Sequence, residues 1–114
     1  MHELSVAMSL VEMALEEGER QGGRVSVVHL RLGVMAGVVK DALLFSYEVA
    51  CQDTPLAGSE LVIQEMPLVV YCPYCDMQRV LATAYSFTCT ACGTPTPEIR
   101  GGKELELVAL EIEQ

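Results

Sequence analysis

Cys72-Pro73-Tyr74-Cys75 is followed, after thirteen residues, by Cys89-Thr90-Ala91-Cys92. Each Cys-x-x-Cys is a tight turn that lets two thiolates approach one ion. The segment between the pairs is long enough to fold back and present the second pair to the first. Two such knuckles at this spacing form the pattern of a closed tetrahedral metal site, most often zinc. Four thiolates fill that coordination sphere and leave no position for water or substrate. Cys72, Cys75, Cys89 and Cys92 therefore read as ligands of a structural zinc.

Other chemistries use parts of the same pattern. Iron suits the same four thiolates in a rubredoxin-like centre, but two Phe, four Tyr and no Trp offer few aromatics to enclose one, which favours zinc. Cys72-Pro73-Tyr74-Cys75 alone looks like the active site of a glutaredoxin. That fold carries its motif near the chain start, opening a helix, whereas here the motif sits late and a second pair supplies matching ligands. Cys51, the odd cysteine, lies on an expected helix and reads as a small buried hydrophobe.

The 114 residues suit one core plus a small appended module. Tyr71–Pro97, around the knuckles, falls below the roughly 40 residues that usually fold without metal or disulfides. A net charge of -9, from 16 acidic and 7 basic residues, opposes binding to nucleic acid, whose affinity rests on Lys and Arg contacts to phosphate. No apolar run approaches the roughly 18 residues of a membrane span. Residues 1–17 lack a basic n-region and carry Glu3, Glu12, Glu16 and Glu17, so they do not read as a signal peptide. The expected compartment is the reducing cytoplasm, where paired cysteines serve as metal ligands rather than disulfides.

Periodicity organises the chain on either side of the knuckles. Leu4, Ala7/Met8, Val11 and Ala14/Leu15 mark one face of a helix running to about Gln21, which Gly22-Gly23 ends. Arg24–Leu32 alternates as a strand with Ser26, Val28, Leu30 and Leu32 inward. Gly33 and Gly37 bracket an apolar loop, Val34-Met35-Ala36, either tucked under or a contact surface. Val38–Cys51 reads as a second helix with Leu43, Leu44, Tyr47 and Cys51 toward the core. Glu60–Met66 and Leu105–Ile112 read as strands, and Arg100-Gly101-Gly102 as a hinge. The expected fold class is α+β: a three-stranded sheet packed by two helices, with an inserted four-cysteine zinc-ribbon module. Residues 1–67 plus 101–114 form the discontinuous α+β domain and 68–100 the module, whose incoming and outgoing segments meet as a two-stranded stalk.

The first three residues, Met1-His2-Glu3, offer a second metal chemistry. A free α-amine, the following backbone amide and a His at position 2 close fused chelate rings, a planar nitrogen set of the kind Ni(II) or Cu(II) prefers. The same residues also fit an exposed histidine ahead of a helix. His29, beside Arg31 on a strand face, reads as a surface or packing residue.

Taken together, several stretches resemble the HypA family. They are Met1-His2-Glu3-Leu4-Ser5, Leu30-Arg31-Leu32-Gly33, Leu43-Leu44-Phe45-Ser46-Tyr47-Glu48, Ala57-Gly58-Ser59-Glu60-Leu61, the paired knuckles, and the tail from Gly102-Lys103-Glu104-Leu105 to Ile112-Glu113. The resemblance covers essentially the whole chain and implies a nickel metallochaperone of [NiFe]-hydrogenase maturation, not an enzyme. It implies Ni(II) as transient cargo on the Met1 amine, the backbone nitrogens of His2 and Glu3, and the His2 imidazole. Structural Zn(II) is implied at Cys72, Cys75, Cys89 and Cys92. The implied partners are the GTPase HypB, the hydrogenase large-subunit precursor and, in some bacteria, urease maturation proteins, with the chain a monomer or weak homodimer. Two features depart from the family pattern. The module has no His, and Thr54-Pro55 stands where Gly-Thr is more usual. The alternative is a zinc-ribbon module that binds protein or nucleic acid.

Overall fold

The computed structural model describes residues 2–114. Contacts divide the chain into two units: residues 1–31, 37–64 and 106–114 form the first, and 32–36 with 65–105 the second.

In the first unit, helix α1 (Glu3–Gln21) packs against α2 (Lys40–Cys51). The buried face of α1 is Ala7, Leu10, Val11, Ala14 and Gly18. It is rotated from the expected one, because Leu4 and Met8 are 46% and 58% exposed. Small residues decide this, since Ala7, Ala14 and Gly18 allow close approach where larger side chains would hold the helix off. A Cβ on Gly18 would lie 3.2 Å from the Gly23 carbonyl oxygen and 3.3 Å from Val25 Cγ2. Gly18 thus makes room for the next strand. The helix stops where Gly22 turns left-handed and Gly23 N–H returns to the Gly18 carbonyl.

Strand β1 (Arg24–Gly33) is the centre of a sheet ordered β2-β1-β6, with β2 at Glu60–Met66 and β6 at Leu105–Glu113. Val28, Leu30 and Leu32 are buried as the alternation requires, and Val25 joins them. On α2, Leu43, Tyr47 and Cys51 are buried, while Leu44 is half-exposed. Each large side chain removed from water this way stabilises the fold by about 1.5–3 kcal/mol. After α2, the Thr54 hydroxyl donates to the Cys51 carbonyl and accepts the Leu56 N–H. The departure at Thr54-Pro55 is therefore a self-sufficient turn that seats the buried Leu56.

The second unit holds a sheet that periodicity did not reveal. β3 (Leu68–Cys72) lies between β4 (Met77–Leu81) and β5 (Glu98–Gly101), both antiparallel to it. The incoming and outgoing strands do pair, with Val70 opposite Ile99 and Tyr71 opposite Glu98. The expected hinge at Arg100–Gly102 is instead strand and tight crossing: Gly101 pairs with Val69, and Gly102 is buried at φ +113°. Gly33 passes so close that a Cβ there would come within 2.2 Å of the Gly102 carbonyl group. The apolar loop after it divides: Met35 is tucked in, whereas the Val34 side chain is 62% exposed. Val34 and Met35 N–H groups donate to Met66 and Gly102 carbonyls, and Met35 packs on Leu68, Val70 and Leu81.

Candidate metal centre

The first knuckle is the turn of the β3–β4 hairpin, in which Cys72 faces Met77. Asp76 N–H donates to the Cys72 carbonyl at 2.9 Å, and Asp76 takes a left-handed φ of 54°. The second knuckle repeats this geometry. Gly93 N–H donates to the Cys89 carbonyl at 2.9 Å, with Gly93 at φ 75°. Cys89 N–H closes onto the Thr94 carbonyl, and a bridge pairs Thr88 with Pro95. In each turn a backbone amide points at the first sulfur: Cys75 N–H at Cys72 Sγ (3.3 Å) and Ala91 N–H at Cys89 Sγ (3.4 Å). Outside the first turn, the Tyr71 hydroxyl donates to Asp76, and Arg100 lies 4.1 Å over the Tyr71 ring.

All four Sγ atoms fall within 4.8 Å of one another, and Cys72 and Cys92 sulfurs are 3.6 Å apart. A tetrahedral ion with metal–sulfur bonds near 2.3 Å requires sulfurs about 3.8 Å apart. The donor set therefore fits one such ion. Cys72 and Cys89 are buried, Cys75 is half-buried and Cys92 exposed.

The electrostatics point the same way. The Arg79 guanidinium donates to Cys89 Sγ at 3.4 Å and lowers that thiol to about 5. The Thr94 hydroxyl, 3.1 Å from Cys92 Sγ, lowers Cys92 as well. Cys75, hydrogen-bonded to Cys92, is pushed up to about 11. Thiolates this close repel, so not all four ionise unless a cation sits among them. A bound divalent ion removes that conflict by deprotonating its ligands outright. Arg79 was visible in the sequence only as the one cation between the knuckles. Its contact with Cys89 engages it with sulfur, leaving it poorly placed to serve a phosphate.

His2 and Glu3 belong to the first unit, and Met1 lies outside the described residues. His2 is exposed at the N-cap of α1, where its side chain makes no capping hydrogen bond, and its carbonyl accepts the Val6 N–H. Glu3 is the first helical residue, and its carboxylate accepts the Val39 N–H at 3.1 Å, at the start of α2. That bond holds Glu3 below the usual carboxylate range. The sequence offers Glu3 as a backbone nitrogen donor and as negative charge at the helix start, but not this tether. His29 Nε2 meets Glu111 Oε2 at 2.6 Å, which fits its reading as a packing residue.

A family model described as hydrogenase/urease nickel incorporation, metallochaperone, HypA matches residues 1–112. The chain belongs to the HypA family. A hydrogenase maturation factor HypA from Roseiflexus sp. (strain RS-1) is 52% identical over 114 residues, 99% of this chain and 93% of the relative. One from Chloroflexus aurantiacus is 50% identical over 112 residues, 97% of this chain and 98% of the relative. The fold matches the solution structure of the Ni metallochaperone HypA from Helicobacter pylori with a TM-score of 0.65, at 21% identity over 98% of this chain and 97% of that one. A second HypA solution structure matches with a TM-score of 0.73, at 21% identity over 99% and 97%. HypA proteins are nickel metallochaperones of hydrogenase maturation and not enzymes, and this member carries a four-cysteine metal site.

Proposed function

We propose that the chain carries Ni(II) at its N-terminus and delivers it to the [NiFe]-hydrogenase large-subunit precursor, while a zinc ion at the four cysteines builds the second unit. The nickel ligands are the Met1 amine, the backbone nitrogens of His2 and Glu3, and the His2 imidazole. One observation carries this reading: the His2 and Glu3 amides lie outside the hydrogen-bond ladder of α1. His2 is the N-cap and Glu3 the first helical residue. N–H groups at a helix start have no partner in the ladder. Deprotonating these amides on a metal therefore breaks no helical bond. The Glu3 carboxylate accepts the Val39 N–H, which ties the helix start to the start of α2.

Residues 1–67 with 101–114 form the nickel-binding part and 68–100 the zinc module, which serves as a rigid arm for recognition. The GTPase HypB supplies or gates the nickel, and urease maturation proteins are the second route for it. No helix of the described residues is long and apolar enough to cross a membrane. In this reading the chain works in the cytoplasm as a monomer or weak homodimer, and its net charge of -9 opposes nucleic acid.

Acetylation of the α-amine tests the site. The untagged protein should take up one nickel and the acetylated protein none, read by equilibrium dialysis. Equal uptake by both would remove the N-terminal site.

A further inference from the structure

We propose that Arg79 is a positioning residue of the four-cysteine site, docking the second knuckle onto the first hairpin and offsetting the negative charge that the metal-bound thiolates retain. The inference rests on the reading of Cys72, Cys75, Cys89 and Cys92 as ligands of one divalent ion. Four thiolates and a dication leave a net charge of about -2 on the sulfurs. Backbone amides meet part of it, at Cys72 and Cys89. Arg79 brings a full positive charge, placing its Nε 3.4 Å from Cys89 Sγ.

The fold fixes where that cation can act. Arg79 stands on β4, opposite Val70 of β3, in the hairpin whose turn is the first knuckle. Its contact is to Cys89, the first cysteine of the second knuckle. The bond therefore spans the two halves of the site independently of the ion. Direct contact with the sulfur, with no water between, lets that charge act at short range. Hydrogen bonds of this kind orient metal ligands, and losing one typically lowers metal affinity 10–100-fold. Lysine keeps the charge but lacks the rigid planar fork.

The test uses the full-length protein loaded with Co(II), together with zinc competition against a chromophoric chelator. In Arg79→Gln the sulfur-to-cobalt charge-transfer band should move to longer wavelength, because thiolates without a donor give up electrons more readily. The tetrahedral d–d bands should stay in place, and zinc should be held about tenfold less tightly. Arg79→Lys should recover part of both effects. A merely structural arginine would alter affinity without moving the charge-transfer band. If Arg79→Gln matches wild type in band and affinity, or Arg79→Lys behaves as Arg79→Gln does, the role assigned to Arg79 is overturned. A wild-type protein that binds neither cobalt nor zinc would instead overturn the four-thiolate reading beneath it. Should Arg79→Gln fail to fold, Arg79→Lys alone decides, because a conserved charge must keep the band near its wild-type position.

Discussion

The His2→Ala protein should lose nickel binding while keeping its four-cysteine site and its wild-type thermal stability. The imidazole is the one side-chain ligand in the proposed planar nitrogen set, and removing it opens a chelate ring. A loss of at least about a hundredfold in apparent affinity, roughly 2.8 kcal/mol, is expected. The fold should hardly notice. His2 is exposed and caps α1 with no side-chain bond, and its carbonyl accepts the Val6 N–H whatever the side chain. Surface changes of this sort stay within about 0.5 kcal/mol. Nickel titration calorimetry beside thermal unfolding separates the two effects. A nickel isotherm equal to wild type would rule His2 out as a ligand.

Cys89→Ser should be the most damaging single change to the second unit. Structural zinc sites contribute an apparent 10–16 kcal/mol in small modules near neutral pH, as large as the whole stability of an ordinary domain. Cys89 is 3% exposed and is the sulfur that meets both Arg79 and the Ala91 amide. Its loss removes a ligand and the thiolate that meets the Arg79 guanidinium. The small cluster of Leu68, Val70 and Leu81 is too slight to replace the ion. The variant should lose its metal and give collapsed amide dispersion for residues 68–100. Full zinc content in purified Cys89→Ser would contradict a four-thiolate site.

The first unit was legible because its elements are long and strongly periodic. The bounds of β1, β2 and β6 came within a residue, and α2 began two residues late because Val39 serves as its cap. The buried face of α1 was misjudged because two apolar stripes overlap there. Counting hydrophobicity favours Leu4 and Met8, whereas close packing selects Ala7, Ala14 and Gly18. The second sheet was hidden for another reason. Its strands are four or five residues long, too short to show a period, and the cysteines dominated the reading of that stretch. The metal-site cysteines themselves were plain from spacing alone. What spacing cannot convey is which neighbours reach the sulfurs, so Arg79 and Thr94 emerged only from the tertiary fold. The Glu3–Val39 bond, across 36 residues, was equally beyond local pattern.

In the proposed function nickel and zinc occupy different sites on one chain. The direct test adds excess nickel to the untagged, zinc-loaded protein, removes unbound metal and counts both ions per chain. Two distinct sites predict one nickel and one zinc, with no nickel–thiolate absorption. Nickel gained in equal exchange for zinc lost, with thiolate charge-transfer bands appearing, would place the cargo on the cysteines and contradict the account.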